Sequence, residues 1–175
     1  MDPLLAAETL PRLADLAMRR AVATAISAGR NASLRGLVDD ALVRFERLVQ
    51  SKARDGVRPA LLFAQRDRML IGIRAFLGTR AAARLFSLRR RDLIAAGNAA
   101  APFDIVARGR DGRLHGIVLR SVPRDGRRLE LYRRVRAAAS QRRAGEPITT
   151  VTVCDLNGGK ARTLRISAHP SLRAA

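Results

Sequence analysis

The sequence is short of the residues that many catalytic and metal sites require. It has one cysteine among 175 residues, Cys154, so an intramolecular disulfide and a cysteine-based zinc site are excluded. Its two histidines, His115 and His169, do not lie at metal-ligand spacing from an acid. It also has no Gly-rich phosphate loop and no nucleophile motif. NTPases and hydrolases that rely on these motifs are therefore excluded, and no cofactor is expected.

Long apolar runs and aromatic residues are also scarce. No apolar run approaches the roughly 20 residues that span a bilayer, and Asp2 stands where a signal peptide would carry positive charge. We therefore expect a soluble, cytoplasmic protein with no membrane partner. Five Phe, one Tyr and no Trp leave little material for a surface on which bases could stack. Contacts to the backbone of a duplex are the better expectation.

Arginine is the residue that the sequence has in excess. There are 34 basic and 15 acidic residues, for a net charge of +19, and only Lys52 and Lys160 of the basic residues are lysine. The excess is divided almost equally between residues 1–100 and 101–175, so it belongs to the folded body and not to a tail. A charge of this size predicts a polyanionic partner, with nucleic acid favoured over anionic lipid.

The composition changes near residue 100, which predicts an α+β protein. Residues 1–98 are rich in Ala, Leu and Arg at helical spacing, and residues 99–175 contain β-branched runs separated by turn dipeptides. The predicted helices are Pro11 to Gly29, Ser33 to Arg54, Pro59 to Gly78, Arg80–Phe86 and Leu88–Ala96. Thr79 and Ser87 are the predicted N-caps of the last two.

The second region predicts a small mixed sheet with one crossing helix. Strands 103–108 and 114–121 flank an Asp-Gly hairpin turn, and strands 148–155 and 162–166 flank a second turn. Between the two hairpins, residues 127–143 form the predicted helix, with Tyr132 and Val135 among its inward residues.

Residues 79–97 resemble a helix-turn-helix. Ala83 would be the small residue at the helix crossing, Ser87 the turn, and Leu93 the inward anchor. Arg89, Arg90 and Arg91 would then start a recognition helix. The alternative is a pair of core helices with a solvated arginine run.

The second region also resembles the PD-(D/E)XK nuclease-like superfamily. The resemblance covers about residues 100–168 and rests on an acid at the first strand, Asp104, followed by a hairpin, a second strand, a helix and further strands. Val118 and Arg120 stand where the superfamily has an acid and a lysine. The resemblance implies a restriction-endonuclease-like module whose site is degenerate, since one carboxylate is lost and an arginine cannot serve as a base. The alternative is an ordinary α+β domain with Asp104 exposed at an edge.

These observations predict a sequence-tolerant DNA-binding protein, with double-stranded DNA as the partner and no enzymatic activity. The predicted phosphate contacts are Arg89, Arg90, Arg91, Arg120, Arg127, Arg128, Arg133 and Arg134. One alternative is an active endonuclease in which Asp104 binds Mg²⁺ and Glu130 supplies the missing acid. Another is an assembly subunit of a nucleoprotein or phage-like particle, in which the helical region contacts a protein partner. The sequence does not separate DNA from RNA.

Overall fold

In a computed structural model of the chain, helices precede a sheet. The structure describes residues 3–29, 33–52, 57–96, 103–120, 132, 133, 135, 148–156 and 160–166. Within them, four α-helices are followed by a five-stranded mixed sheet. This confirms the predicted α+β class and the order of its two halves. None of the described helices is both long enough and apolar enough to cross a membrane.

The helices are α1 (Pro3–Ser27), α2 (Leu34–Lys52), α3 (Pro59–Leu77) and α4 (Arg80–Phe86). The α3 helix has Pro59 at its first position, where the missing N–H breaks no hydrogen bond. As predicted, the side chain of Thr79 caps α4 by accepting a hydrogen bond from the N–H of Ala82 at 3.0 Å.

A short 3-10 turn (Arg90–Asp92) leads from the helices into the sheet. Its strands are β1 (Leu93–Ala96), β2 (Ile105–Arg108), β3 (Leu114–Arg120), β4 (Ile148–Asp155) and β5 (Ala161–Arg165), in that spatial order. All neighbouring strands are antiparallel except β3 and β4, which are parallel. A parallel pair requires a crossover connection, which fits the predicted helix between β3 and β4. Tyr132, Arg133 and Val135 of that helix are described and helical.

The two faces of the sheet belong to different cores. Ile105, Ile117 and Leu119 project toward α1 and share a continuous core with the helices. Val106 and Val118 project to the other face, where Val135 packs with Tyr132 beside it. The helical region and the sheet are therefore joined by one core, while Val135 and Tyr132 pack on the opposite side of the sheet.

The predicted helix at Leu88–Ala96 is wrong. This segment forms the 3-10 turn and β1, and Leu93 and Ala96 pair with Ala107 and Ile105 of β2. Strand pairing outweighs the helix propensity of its alanines. The described residues 79–96 therefore do not form a helix-turn-helix, and Ser87 ends α4 instead of capping a further helix.

The predicted start of the first helix is also wrong. Pro11 lies inside α1, which begins at Pro3. The proline removes one backbone donor, but its fixed φ is compatible with a helix. Leu10 and Leu13, on either side of it, are buried in the core, and this packing holds the helix together across the proline.

Candidate nucleic-acid interface

A groove of about 700 Å³ lies between α4 and the part of the sheet that faces it. Arg80 and Arg84 of α4 line one side, and Arg108 and Arg110 of the β2–β3 hairpin line another. The remaining polar lining consists of His115, Thr150, Thr152 and Thr163. The groove thus combines cationic walls with a floor of hydroxyl and imidazole groups.

The position of Arg80 and Arg84 follows from the way α4 is anchored. Ala82 and Leu85 are buried, and they fix which side of this short helix faces the core. Arg80 and Arg84 are four residues apart and therefore neighbours on the helix surface, where both are exposed. Two like charges at this spacing destabilise a helix by about 0.2–0.5 kcal/mol, a cost that a bound anion would offset.

The β2–β3 hairpin places the second pair of arginines. Gly112 has a φ of 76°, a left-handed conformation that glycine adopts without strain. The carboxylate of Asp111 accepts a hydrogen bond from the N–H of Arg113 at 3.1 Å. Within the turn, Arg108 donates to the carbonyl of Gly112 at 2.6 Å. Arg110, at the tip of the turn, is exposed.

Hydroxyl groups and one histidine form the floor. The His115 ring is hydrogen-bonded to the hydroxyls of Thr150 and Thr152, at 2.9 Å for the latter, and Thr152 is bonded to Thr163 at 2.9 Å. Burial lowers the pKa of His115, and the charge of Asp111 offsets this effect in part. The ring is therefore neutral at neutral pH, and the positive charge of the groove comes from its arginines.

The predicted contacts at Arg89, Arg90 and Arg91 lie beside this groove. They directly follow Leu88, which lines it, and all three are exposed. Arg91 is 3.9 Å from the carboxylate of Asp92. Arg133 is exposed on the crossing helix, while the other predicted contacts of that helix, Arg127, Arg128 and Arg134, lie outside the described residues.

Asp104 lies at a buried junction between α1 and the sheet, away from solvent. One carboxylate oxygen accepts hydrogen bonds from Arg19, from Nε at 3.0 Å and from Nη2 at 2.6 Å. The other accepts from the backbone N–H of Leu119 at 2.7 Å. The paired part of β2 begins only at Ile105. Beyond it, the Asp104 carboxylate takes the place of a strand carbonyl as the acceptor for the N–H of Leu119 on β3. Asp104 is 9% exposed, so the alternative in which it is an exposed residue at a sheet edge is wrong.

The other two positions of the nuclease-like motif lie on β3. Val118 is fully buried in the core on the far face of the sheet. Arg120 is half-buried, and its Nε is buried without a hydrogen-bond partner among the described atoms. Burial lowers the pKa of Arg120, and the nearby charge of Arg19 lowers it further, against the opposing effect of Asp104 and Asp15.

These residues do not fit a divalent cation. Both oxygens of Asp104 are already engaged, Val118 offers no ligand, and Arg120 adds a positive charge. In the described part of the chain, no three His, Cys, Asp or Glu side chains come together in a way that could hold a metal ion. Glu130, the proposed second acid, lies outside the described residues.

Sequence reasoning missed Arg19 and the groove arginines Arg80, Arg84, Arg108 and Arg110. A signal for one pair was present, since Thr79 was expected to cap α4 and the spacing of Arg80 and Arg84 puts them on one helix face. The partner of Asp104 was not accessible in this way, because Arg19 lies 85 residues away in sequence.

Comparisons with protein-family profiles, curated proteins and solved structures find no match to this chain.

Proposed function

We propose that this chain is a sequence-tolerant DNA-binding protein that holds the phosphate backbone in the groove between α4 and the sheet. The observation that carries the proposal is that three of the groove arginines lack a bonded partner. Arg80, Arg84 and Arg110 are exposed, and none of their guanidinium groups forms a hydrogen bond or ion pair with another described residue. Arginine binds phosphate with a planar set of donors, which suits this arrangement.

Several arginines outside the groove have carboxylate partners. Arg44 is bonded to Asp40 at 2.9 Å within α2, and Arg66 of α3 pairs with Glu46 of α2. Arg19 is paired with Asp104. In contrast, Arg80, Arg84 and Arg110 line one groove, and no described carboxylate is bonded to any of the three, which supports a ligand-binding role for the groove.

The positions of the aromatic residues favour contacts to the phosphate backbone of DNA over stacking on its bases. The only tyrosine, Tyr132, has the guanidinium of Arg162 over its ring at 5.1 Å from the centroid. Phe45 and Phe76 are buried, Phe63 is exposed on α3 outside the groove, and no Phe, Tyr or Trp lines the groove. Binding by phosphate contacts alone carries little sequence information, so the expected ligand is a duplex of any sequence.

The order of elements supports the proposed kinship with nuclease-like modules. Asp104 precedes β2, a hairpin leads to β3, a helical segment follows, and β4 returns parallel to β3. Because the Asp104 junction does not fit a metal ion, we propose a binding protein and not an endonuclease. No observation favours the assembly-subunit alternative over this one.

Charge reversal on α4 tests the proposal. The double variant Arg80→Glu, Arg84→Glu should weaken binding to a duplex of about 20 base pairs by roughly tenfold or more at low salt. The matched control is Arg12→Glu, Arg20→Glu, which changes the net charge equally at two exposed positions of α1. The measurement is fluorescence anisotropy with a labelled duplex, after circular dichroism has shown that both variants are folded.

The control distinguishes binding in the groove from attraction by the net charge of the whole protein. We expect it to lose much less affinity than the α4 variant. Equal losses in both variants would mean that net charge alone attracts DNA, and no binding by the wild-type protein at low salt would remove nucleic acid as the partner.

A further inference from the structure

The outward face of α3 is largely apolar, unlike the outward face of α2. Phe63, Leu70 and Ile71 are 60%, 43% and 64% exposed. At 100° per residue they lie on one side of the helix together with the exposed Asp67 and Arg74. We call Phe63, Asp67, Leu70, Ile71 and Arg74 the α3 patch. Its one acid and one base make it electrically neutral.

The opposite side of α3 is already used for the core. Met69, Ile73 and Phe76 are buried against the other helices. By comparison, the outward face of α2 carries the charged residues Arg35, Asp39 and Arg47 around the exposed Val43. The α3 patch is therefore a specific feature of one helix and indicates a protein interface.

The charges of the patch favour a second copy of the chain as the partner. Asp67 and Arg74 lie seven residues apart, on either side of Leu70 and Ile71. If two α3 helices cross antiparallel about a two-fold axis between Leu70 and Ile71, Asp67 of each copy lies opposite Arg74 of the other. Neither side chain has a hydrogen bond or ion pair with another described residue, so both charges are available for this pairing.

The same two-fold axis gives the apolar residues suitable positions. Leu70 of one copy meets Ile71 of the other at the centre, and Phe63 of one copy meets Gly78 of the other. Gly78 ends α3, is exposed and has no side chain, which leaves room for the ring. We propose that the chain forms an antiparallel homodimer through the α3 patch, with two reciprocal Asp67–Arg74 pairs.

The dimer should form in the micromolar range, since one helix face is small compared with a standard interface. Sedimentation velocity of the full chain over about 5 to about 200 µM should show the mass rising from one chain toward two. A wild-type protein that remains monomeric across this range would overturn the proposal.

Charge exchange tests the geometry. Asp67→Arg places arginine opposite arginine in the homodimer, and Arg74→Asp places acid opposite acid, so each single variant should dimerise roughly tenfold or more weakly. An equimolar mixture of the two variants restores both pairs, because one copy carries two arginines and the other two acids. The mixture should therefore associate, and the double variant Asp67→Arg, Arg74→Asp should recover self-association.

The control is Arg68→Glu, an exposed change on α3 about 100° from the centre of the patch. It should dimerise like the wild type. If the two single variants also dimerise like the wild type, or if their mixture remains monomeric, the antiparallel α3 geometry is contradicted. All of these substitutions lie on α3, which contributes no residue to the lining of the groove, so their effect on association is separable from DNA affinity measured at concentrations below dimerisation.

Discussion

Arginine serves different purposes at the Asp104 junction and in the groove. At the junction, Arg19 is bonded to a buried carboxylate whose second oxygen holds the backbone of β3. In the groove, Arg80 and Arg84 are exposed and face hydroxyl groups in place of acids. A high arginine count therefore does not locate a binding surface by itself. The deciding observation is whether guanidinium groups without an anionic partner are brought together around one groove.

The largest effect should come from removing the junction carboxylate. Asp104→Ala leaves Arg19 partly buried without its partner and the N–H of Leu119 without its acceptor. Breaking a buried pair from one side costs about 3–5 kcal/mol, so urea denaturation should show a loss of this size in the free energy of unfolding.

Asp104→Asn serves as the comparison, because it keeps an acceptor for Leu119 while removing the charge. It should lose less stability than the alanine variant. If Asp104→Ala were as stable as the wild type, the carboxylate would have no structural role, and its interpretation as a site residue would return.

A smaller effect should appear in the pH dependence of stability through His115. Burial lowers the pKa of this histidine. The folded state therefore binds a proton there less tightly than the unfolded chain, which accepts one near pH 6.5. The free energy of unfolding should therefore be at its full value above about pH 6.5 and should fall as the pH is lowered through that value. Urea denaturation between about pH 7.5 and about pH 5.5 measures this, a window above most carboxylate titrations.

The control variant for this prediction is His115→Gln, which keeps hydrogen-bonding groups near Thr150 and Thr152 but does not titrate. Its stability should vary less over the same pH range, whatever its absolute value. A pH profile identical to that of the wild type would assign the dependence to other groups.

The smallest effect should come from Arg120, whose long side chain is half-buried beside Arg19. Arg120→Met removes a charge that lies in an unfavourable environment while it keeps most of the volume. We expect a change in stability of less than about 1 kcal/mol and less than about twofold in DNA affinity. A severalfold loss of affinity would show instead that Arg120 contacts phosphate, as its sequence position suggested.

The parts of the fold that could be predicted are those fixed by local patterns. The limits of α3 and α4 and the strand Ile148–Asp155 follow from a helix-starting proline, a threonine cap and a β-branched run. The stretch Leu93–Ala96 could not be predicted, because its alanines favour a helix and only the neighbouring β2 makes it a strand. Helix α1 likewise continues through Pro11 because of packing, which a local pattern does not reveal.

The site was harder to predict than the fold, because partners distant in sequence decide it. The sequence suggested a nuclease-like site acid or an exposed edge residue at Asp104, but its buried contacts depend on Arg19, which no spacing rule connects to it. The groove forms only when α4 and the hairpin meet over β3, β4 and β5. Net charge leads only to the expectation of a polyanionic partner, and the fold determines which arginines face outward together.

The salt dependence of DNA affinity tests the groove most directly, because it counts the phosphate contacts that a variant loses. For a duplex of fixed length, the logarithm of the association constant should fall linearly with the logarithm of the salt concentration. Each contact contributes about 0.9 to the slope, so Arg80→Ala, Arg84→Ala should lower its magnitude by about two. The control Arg12→Ala, Arg20→Ala should leave the slope nearly unchanged. An α4 variant with the wild-type slope would contradict the groove as the DNA-binding surface.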